Sequence, residues 1–240
     1  MNEPKDSQHY SVFDMDRLES HYMIPIFEEI TNKYTMKNIL DYGCGNGVTG
    51  SYFKKVANSH LIGVDGSQYG LTQAKKRNYD EVFFCDDFNT QSIALSSNSM
   101  DFVLCKDVLE HLLNPIFVLN EINRILKNDG IALILIPNHF PLKYRIKFLF
   151  TNEIDTQKYF PKANQWDLPH LRFFTKSGIV KMLNKCGFEI IKDYSEYFAT
   201  SIPILTNIKL VRGLEKYMAK RSSTHFSCAF TFLIKKCKFK

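Results

Sequence analysis

Apolar and polar residues follow two different periods along this chain, and the changes between them predict its secondary structure. Short apolar runs bounded by turn residues are typical of strands, and longer stretches with apolar positions three and four apart are typical of helices. The strands predicted in this way are Asn38–Tyr42, Leu61–Asp65, Glu81–Cys85, Asp101–Cys105, Ile131–Pro137, Phe188–Asp193 and Ser227–Ile234. The helices predicted between them are Val48–Ala57, Gln68–Arg77, Pro115–Leu126 and Lys176–Cys186.

Turn and cap residues mark the ends of the two later helices. Pro115 follows Asn114 and suits a first helical turn, and the Asn-Asp-Gly sequence at 128–130 closes that helix before the next strand. Thr175 caps the other helix, and Gly187 ends it. The repeated strand-then-helix order predicts an α/β fold with a mainly parallel sheet, whose strands meet a ligand at their carboxyl ends.

The first predicted strand runs into a glycine-rich loop, with Gly43, Gly45 and Gly47 at every second position after Asp41. Glycine takes unusual backbone angles without steric cost and lets a ligand lie against the backbone. A phosphate cradle needs bare N–H groups and positive charge. An acidic residue at the mouth of the loop instead favours a ligand that carries a cation.

Two phosphate-binding motifs fail on the same loop. The dinucleotide fingerprint needs a third glycine where Val48 stands. A Walker-type loop needs lysine and then serine or threonine after the last glycine, but Gly47 is followed by Val-Thr-Gly.

Five segments in the same order along the chain resemble class I S-adenosylmethionine-dependent methyltransferases of the type 11/12-like group. The similarity extends from about Asn38 to Asp193, and its later part resembles small-molecule enzymes of bacterial polysaccharide biosynthesis. The five segments are the acidic-x-Gly-x-Gly-x-Gly loop at 41–47, the Leu-Glu-His turn at 109–111, the segment 124–138, the His-x-Arg-x-Phe-Thr pattern at 170–175 and Gly-Phe-Glu at 187–189.

The resemblance implies a Rossmann-like, seven-stranded, mainly parallel sheet with helices on both faces, in one domain over residues 1–240. It also implies S-adenosyl-L-methionine as the cofactor. Asp65, at the end of the second strand, is expected to accept hydrogen bonds from a ribose diol, although it can also cap the next helix. Asp86, or Asp87 as second choice, is expected to meet adenine, with turn chemistry as the alternative. The residues expected to bind the cofactor are Asp41, Gly43, Cys44, Gly45, Asp65, Gly66, Asp86, Asp87, Phe88 and Lys106.

Histidine is the natural base if the methyl acceptor is a hydroxyl, whereas a carboxylate acceptor needs only positioning. His111 and His170 are the candidate catalytic residues, and for each a packing or capping role is an equal alternative. Segments 139–174 and 200–224 are expected to vary among relatives and to form a lid, in which Tyr144 and Arg145 bind the acceptor together with Arg172.

Composition limits the remaining possibilities. The six cysteines form no Cys-x-x-Cys pair and have no histidines at zinc-finger spacing, so we expect no metal and a reducing, cytoplasmic location. The first ten residues lack the apolar core of a secretion signal, and no apolar run is long enough to span a membrane. The formal net charge of +6 permits an anionic partner.

The resemblance of segment 169–175 to enzymes of bacterial polysaccharide biosynthesis implies O-methylation of a sugar or sugar nucleotide, at a hydroxyl or a uronate carboxylate. A quinone or lipid precursor is the alternative acceptor, with 146–150 and 202–205 at a membrane surface. A cofactor-binding protein without catalytic activity belongs to a different class. Nucleic acid is a disfavoured partner because the chain has no RNA-binding module and no base-methylation motif after the fourth strand. The oligomeric state is left open.

Overall fold

The computed structural model describes residues 15–151, 170–199 and 209–237. Seven strands in these ranges form one sheet, in the spatial order β3-β2-β1-β4-β5-β7-β6. The first five strands pair in parallel, and β7 pairs antiparallel with both β5 and β6. The strands are β1 (Asn38–Tyr42), β2 (His60–Asp65), β3 (Glu81–Phe84), β4 (Met100–Lys106), β5 (Leu126–Pro137), β6 (Phe188–Asp193) and β7 (Ala229–Lys236).

Helices connect the strands, and two short 3₁₀ turns lie at Leu109–His111 and Ser195–Phe198. No helix among the described residues has the length and apolar character needed to cross a membrane. The helices are α1 (Met15–Lys33), α2 (Val48–Ala57), α3 (Gln68–Lys76), α4 (Pro115–Ile125), α5 (Leu142–Thr151), α6 (Lys176–Lys185), α7 (Lys209–Arg221) and α8 (Ser223–Phe226).

The predicted fold class is confirmed, and all seven predicted strands are present. The Thr175 hydroxyl accepts a hydrogen bond from the Gly178 N–H, as its capping role predicts. The boundaries of β2, β3, β4 and β7 differ from the prediction by one or two residues, and the start of β5 differs by five. The Asn-Asp-Gly sequence at 128–130 is a bulge inside β5, because Met100 pairs with Leu126 before the register resumes at Phe102 and Ile131.

Both faces of the sheet are buried at β1, β2, β4 and β5, as expected for parallel strands covered by helices. Alternate residues of β4 point to opposite faces. Val103 packs with residues of α4 and α6 in one apolar cluster. Phe102 packs on the other face, where its ring stacks on Phe53 of α2 with centroids 4.5 Å apart. The site edge therefore rests on a sheet fixed from both sides.

The sequence analysis did not predict α1, α5, α7 or α8. For α1 the signal was present, because Met23, Ile26, Phe27 and Ile30 follow helical spacing and are all buried. Pro25 interrupts that pattern and makes it harder to recognise.

Two helical glycines provide a matched test of packing. A Cβ added to Gly50 in α2 would lie 2.0 Å from the Tyr79 hydroxyl and 2.5 Å from Asp41 Oδ2, whereas one added to Gly213 in α7 would meet nothing within 4 Å. We expect Gly50→Ala to lower the free energy of unfolding by about 1–3 kcal/mol through overpacking. We expect Gly213→Ala to raise it by about 0.5–1 kcal/mol. Urea denaturation of both variants measures this, and equal effects would contradict the packing around Gly50.

Candidate functional site

The carboxyl ends of β1, β2, β4 and β5 meet at one edge of the sheet. Backbone hydrogen bonds continue past the strand ends and hold the following loops in place. Gly43 N–H and Cys44 N–H both donate to the Val64 carbonyl, at 2.8 and 3.0 Å, and Asp107 N–H donates to the Leu135 carbonyl at 3.1 Å. The segments that carry the predicted site residues are therefore parts of one surface.

The loop after β1 has the backbone shape that its glycines predict. Gly43, Gly45 and Gly47 have φ values of 78°, 51° and 82°, a region that side chains disfavour. A Cβ on Gly43 would lie 2.2 Å from Cγ2 of Val108, so this loop presses against the segment that follows β4. This close packing holds the loop after β1 and the segment after β4 in place relative to each other.

Asp65 lies half-buried at the end of β2 and holds this loop. One of its carboxylate oxygens accepts a hydrogen bond from Gly45 N–H at 2.7 Å, and the other accepts one from Ser67 N–H at 2.8 Å. A carboxylate accepts hydrogen bonds at about four positions, which suits a ribose diol. The side chain that caps α3 is that of Ser67 and not that of Asp65, because the Ser67 hydroxyl accepts a hydrogen bond from the Gly70 N–H.

Asp41 is buried behind the glycine loop. Its Oδ2 accepts a hydrogen bond of 2.5 Å from the Tyr79 hydroxyl, and the Gly50 N–H also faces this carboxyl. Burial raises the pKa of Asp41 to about 7, with the nearby Asp65 acting in the same direction and the Tyr79 hydrogen bond opposing it. These contacts let Asp41 fix the loop from within the fold.

The raised pKa of Asp41 predicts a specific dependence of stability on pH. The unfolded carboxyl ionises near pH 4, whereas the folded one keeps its proton until about pH 7. The protonated Asp41 carboxyl therefore contributes fully to the free energy of unfolding below pH 4, and this contribution is lost as the pH rises to 7. We expect the free energy of unfolding of the wild type, relative to Asp41→Asn, to fall by up to about 4 kcal/mol across this range. Urea denaturation from pH 4 to 8 measures it. An Asp129→Asn control should show no such trend, and a constant difference for Asp41→Asn would refute the assignment.

The two carboxylates in the segment after β3, those of Asp86 and Asp87, have different surroundings. Asp87 accepts hydrogen bonds from Asn89 N–H, the Asn89 amide and the Thr90 hydroxyl. These hydrogen bonds lower the pKa of Asp87. Asp86 is exposed, and Phe88 packs on Tyr42 with ring centroids 5.1 Å apart. Turn chemistry thus accounts for Asp87 and leaves Asp86 as the carboxylate that faces outward.

The other residues expected to bind the cofactor lie at the same edge. Cys44 is buried in the loop, and Gly66 is exposed after β2. Lys106 ends β4 and forms an ion pair of 2.5 Å with Asp107, whose φ of 53° is unusual for a residue with a side chain. Backbone conformations of this kind cluster at functional sites.

Three histidines gather beyond β4 and β5. Nδ1 of His170 and Nε2 of His139 share a hydrogen bond of 2.9 Å. The His111 ring lies edge-on to His170, with centroids 4.8 Å apart. The pKa of His139 falls to about 4 through burial, and the other two histidines act in the same direction. His139 is therefore neutral at pH 7, and both predicted catalytic histidines lie in one cluster with it.

Glu110 lies beneath this cluster and is fully buried. Its Oε1 is 4.0 Å from His111 Nε2. Neither carboxylate oxygen accepts a hydrogen bond from another residue in the part of the chain that the structure describes. Burial, followed by repulsion from Asp107, raises the pKa of Glu110 well above its usual range.

The residues predicted to bind the acceptor have partners within the protein. Arg172 donates to the carbonyls of Leu112 and Leu113 and so ties the His170 segment to the end of the 3₁₀ turn. Arg145 donates to the Phe140 carbonyl at 2.7 Å. Tyr144 lies half-exposed on α5 beside Lys143, whose ammonium is 5.0 Å from the ring centroid. Much of the predicted lid, residues 152–169 and 200–208, lies outside the described residues.

The sequence analysis assigned no role in the site to His139, Tyr79 or Glu110. For His139 a signal was available in the sequence, because this residue follows Asn138 just beyond the strand that ends at Pro137. For Tyr79 there was none. Its hydroxyl reaches Asp41 only because α3 returns the chain to the glycine loop.

The sheet order is that of the Rossmann-like fold of S-adenosylmethionine-dependent methyltransferases. A glycine-rich loop follows β1, and a half-buried carboxylate, which only accepts hydrogen bonds, follows β2, so the residues present fit the cofactor. The family model described as a methyltransferase domain matches residues 15–193, and the chain belongs to that family.

Relatives are found among archaea and bacteria. An uncharacterised protein of Methanocaldococcus jannaschii is 31% identical over 183 residues, which cover 74% of this chain and 68% of that protein. The ubiquinone biosynthesis O-methyltransferase of Dinoroseobacter shibae is 26% identical over 66% of this chain and 62% of its own length. That of Actinobacillus pleuropneumoniae is 28% identical over 40% of this chain and 43% of its own length. The matched segments thus cover about half of the length of these O-methyltransferases.

Solved structures show the same fold. An S-adenosylmethionine-dependent methyltransferase from Archaeoglobus fulgidus superposes with a TM-score of 0.64 at 17% identity, over 95% of this chain and 99% of that one. A methyltransferase of Haloferax volcanii, in complex with the Trm112 methyltransferase activator, gives a TM-score of 0.64 at 15% identity, over 97% of both chains.

Proposed function

We propose that this methyltransferase acts on a hydroxyl oxygen of a small molecule, at the histidine cluster beyond β4 and β5. The observation that carries the proposal is the position of this cluster. His111 and His170 lie on the same sheet edge as the glycine loop, and the contact between Gly43 and Val108 brings that loop against the segment leading to His111. A hydroxyl must lose its proton during transfer, and histidine suits this task near neutral pH.

Each part of the edge has a distinct role in this proposal. S-adenosylmethionine, when bound, supplies an electrophilic methyl group on a sulfonium. Asp65 and the bare glycine backbone hold its ribose and its chain, and Asp86 faces the adenine. His111 or His170 takes the hydroxyl proton, and His139 orients the His170 ring through their shared hydrogen bond. Because methyl transfer disperses charge, alignment and exclusion of water account for most of the remaining effect.

We infer that the acceptor is apolar, of the quinone-precursor or lipid type. The named relatives that act on ubiquinone precursors favour this class. Helix α5, which follows His139 closely, exposes Leu149 and Phe150 to 76% and 81%. A sugar or sugar nucleotide is the second candidate, because the same helix carries the exposed cations Lys143, Arg145 and Lys147.

The test is transfer of labelled methyl from S-adenosylmethionine into separate lipid, sugar-nucleotide and RNA fractions, followed by mild alkali. Alkali-stable label in the lipid fraction is the expected result. Stable label in the sugar fraction would support the second candidate, and alkali-labile label there would indicate a uronate ester that needs no base. Label in RNA alone would overturn the proposal.

A further inference from the structure

We propose that Glu110, His111 and His170 bind a divalent first-row transition cation such as Zn²⁺ or Mn²⁺. This inference rests on the proposed function, since the cation would hold the acceptor hydroxyl. The sequence analysis expected no metal because no segment has ligand spacing, and His170 lies 59 residues beyond His111. Only the folded chain brings the three side chains together.

The geometry is close to that of a metal site. One ligand atom from each of the three residues lies within 4.8 Å of the others. Zinc–nitrogen and zinc–oxygen bonds are about 2.0–2.2 Å long, so two ligand atoms of one tetrahedral ion are about 3.3–3.6 Å apart. Oε1 of Glu110 and Nε2 of His111, 4.0 Å apart, are close to this spacing, and side-chain rotations that bring the ligand atoms about 1 Å closer together would complete the site.

The Glu110 carboxylate is an independent indication of a ligand. It is fully buried, and no other described residue donates a hydrogen bond to it. A buried polar group without a partner costs free energy, and a buried charge costs more. A cation bound between Glu110 and the two imidazoles would remove that cost.

The backbone holds the three residues in place relative to one another. The Glu110 carbonyl accepts hydrogen bonds from the N–H groups of Leu171 and Arg172, which follow His170 directly. The Arg172 guanidinium binds the Leu112 and Leu113 carbonyls on the other side of the turn. A site built on such connections needs little reorganisation to bind an ion.

His139 supplies the outer support that metal sites use. Its Nε2 shares a hydrogen bond with His170 Nδ1, so ligation falls to the Nε2 atom of His170. Metal-bound histidines usually have a partner on the second ring nitrogen, which fixes the tautomer and the ring orientation.

The donor set selects the class of cation. Two imidazoles and one carboxylate suit zinc, manganese or iron, whereas magnesium and calcium prefer oxygen ligands alone. Three protein ligands leave a coordination position open, as in catalytic sites. With a cation bound, the two imidazoles would act as ligands in place of the base, and a hydroxyl at the open position would have a lowered pKa, lose its proton to solvent and leave its oxygen as the nucleophile.

The test uses the full chain after chelation, in a Cys228→Ser/Cys237→Ser background that removes the two less buried thiols. Titration with Zn²⁺ by calorimetry, and with Co²⁺ by visible absorption, should show one equivalent bound. We expect Glu110→Gln and His170→Gln to weaken binding at least 100-fold, and His139→Phe to weaken it 10- to 100-fold. His60→Gln is the matched control, because His60 lies beside Asp80 and Glu81 on the opposite edge and should bind as the parent does.

Either of two results would overturn the cation site: no stoichiometric binding by the parent, or unchanged binding in both ligand variants. Circular dichroism and S-adenosylmethionine affinity verify that each variant is folded, and if one fails to fold, the other variant and the parent's Co²⁺ spectrum decide. Methyl transfer to a hydroxyl that is equally fast with and without chelator would reject the cation and leave the proposed function standing. Cation binding without any hydroxyl methylation would support the cation site and reject the proposed function.

Discussion

Replacing Asp65 with alanine is expected to lower the affinity for S-adenosylmethionine by at least 100-fold. Hydrogen bonds to a charged group each contribute about 1.5–3 kcal/mol, and we propose that this carboxylate makes two to the ribose. It also holds the glycine loop through Gly45 N–H and the start of α3 through Ser67 N–H. The loss therefore affects both the direct contacts and the shape of the surface that receives the cofactor. Isothermal calorimetry measures the affinity.

Asp129→Ala is the matched control for this experiment. Asp129 is an exposed carboxylate in the β5 bulge, far along the strand from the site edge. Its variant should bind the cofactor as the wild type does. A folded Asp65→Ala variant with unchanged affinity would show that Asp65 does not meet the ribose.

His170→Gln is expected to slow methyl transfer by about 10²- to 10⁴-fold while leaving S-adenosylmethionine binding unchanged. His170 lies between the His111 and His139 rings, and its Nδ1 is already engaged with His139. Whether it takes the proton itself or holds a cation that lowers the pKa of the hydroxyl, its loss removes ionisation of the acceptor. Single-turnover rates measured with saturating cofactor report this step.

The control for His170 is His60→Gln, whose imidazole is an exposed partner of Glu81 at the start of β2. Methyl transfer by this variant should equal that of the wild type. A His170→Gln variant that transfers methyl at the normal rate would contradict a role in the reaction and would favour the packing alternative for this histidine.

Local patterns along the chain were sufficient to predict the sheet. The central strands are present because their apolar runs are buried, and period and composition encode such burial directly. The helix begins at Pro115 as predicted, since proline in a first helical turn acts locally. The bulge at 128–130 was not predictable, because it depends on pairing with Met100 of another strand.

The glycine loop and the position of Asp65 could likewise be predicted from the sequence. Positive φ values at Gly43, Gly45 and Gly47 follow from residues adjacent in sequence, and the place of Asp65 follows from the right-handed crossover rule. The pKa of Asp41 was not accessible, because it depends on the Tyr79 hydroxyl and on complete burial.

The sequence by itself determined the strand order along the chain, the glycine loop after β1 and the class of enzyme. Only the tertiary structure decided how the histidine cluster is built. It placed His139 against His170, enclosed Glu110 beneath His111, and turned Arg172 toward the carbonyls of Leu112 and Leu113. The physical reason is that burial and hydrogen bonding among these residues arise between segments dozens of positions apart, and no local period or spacing encodes such distances.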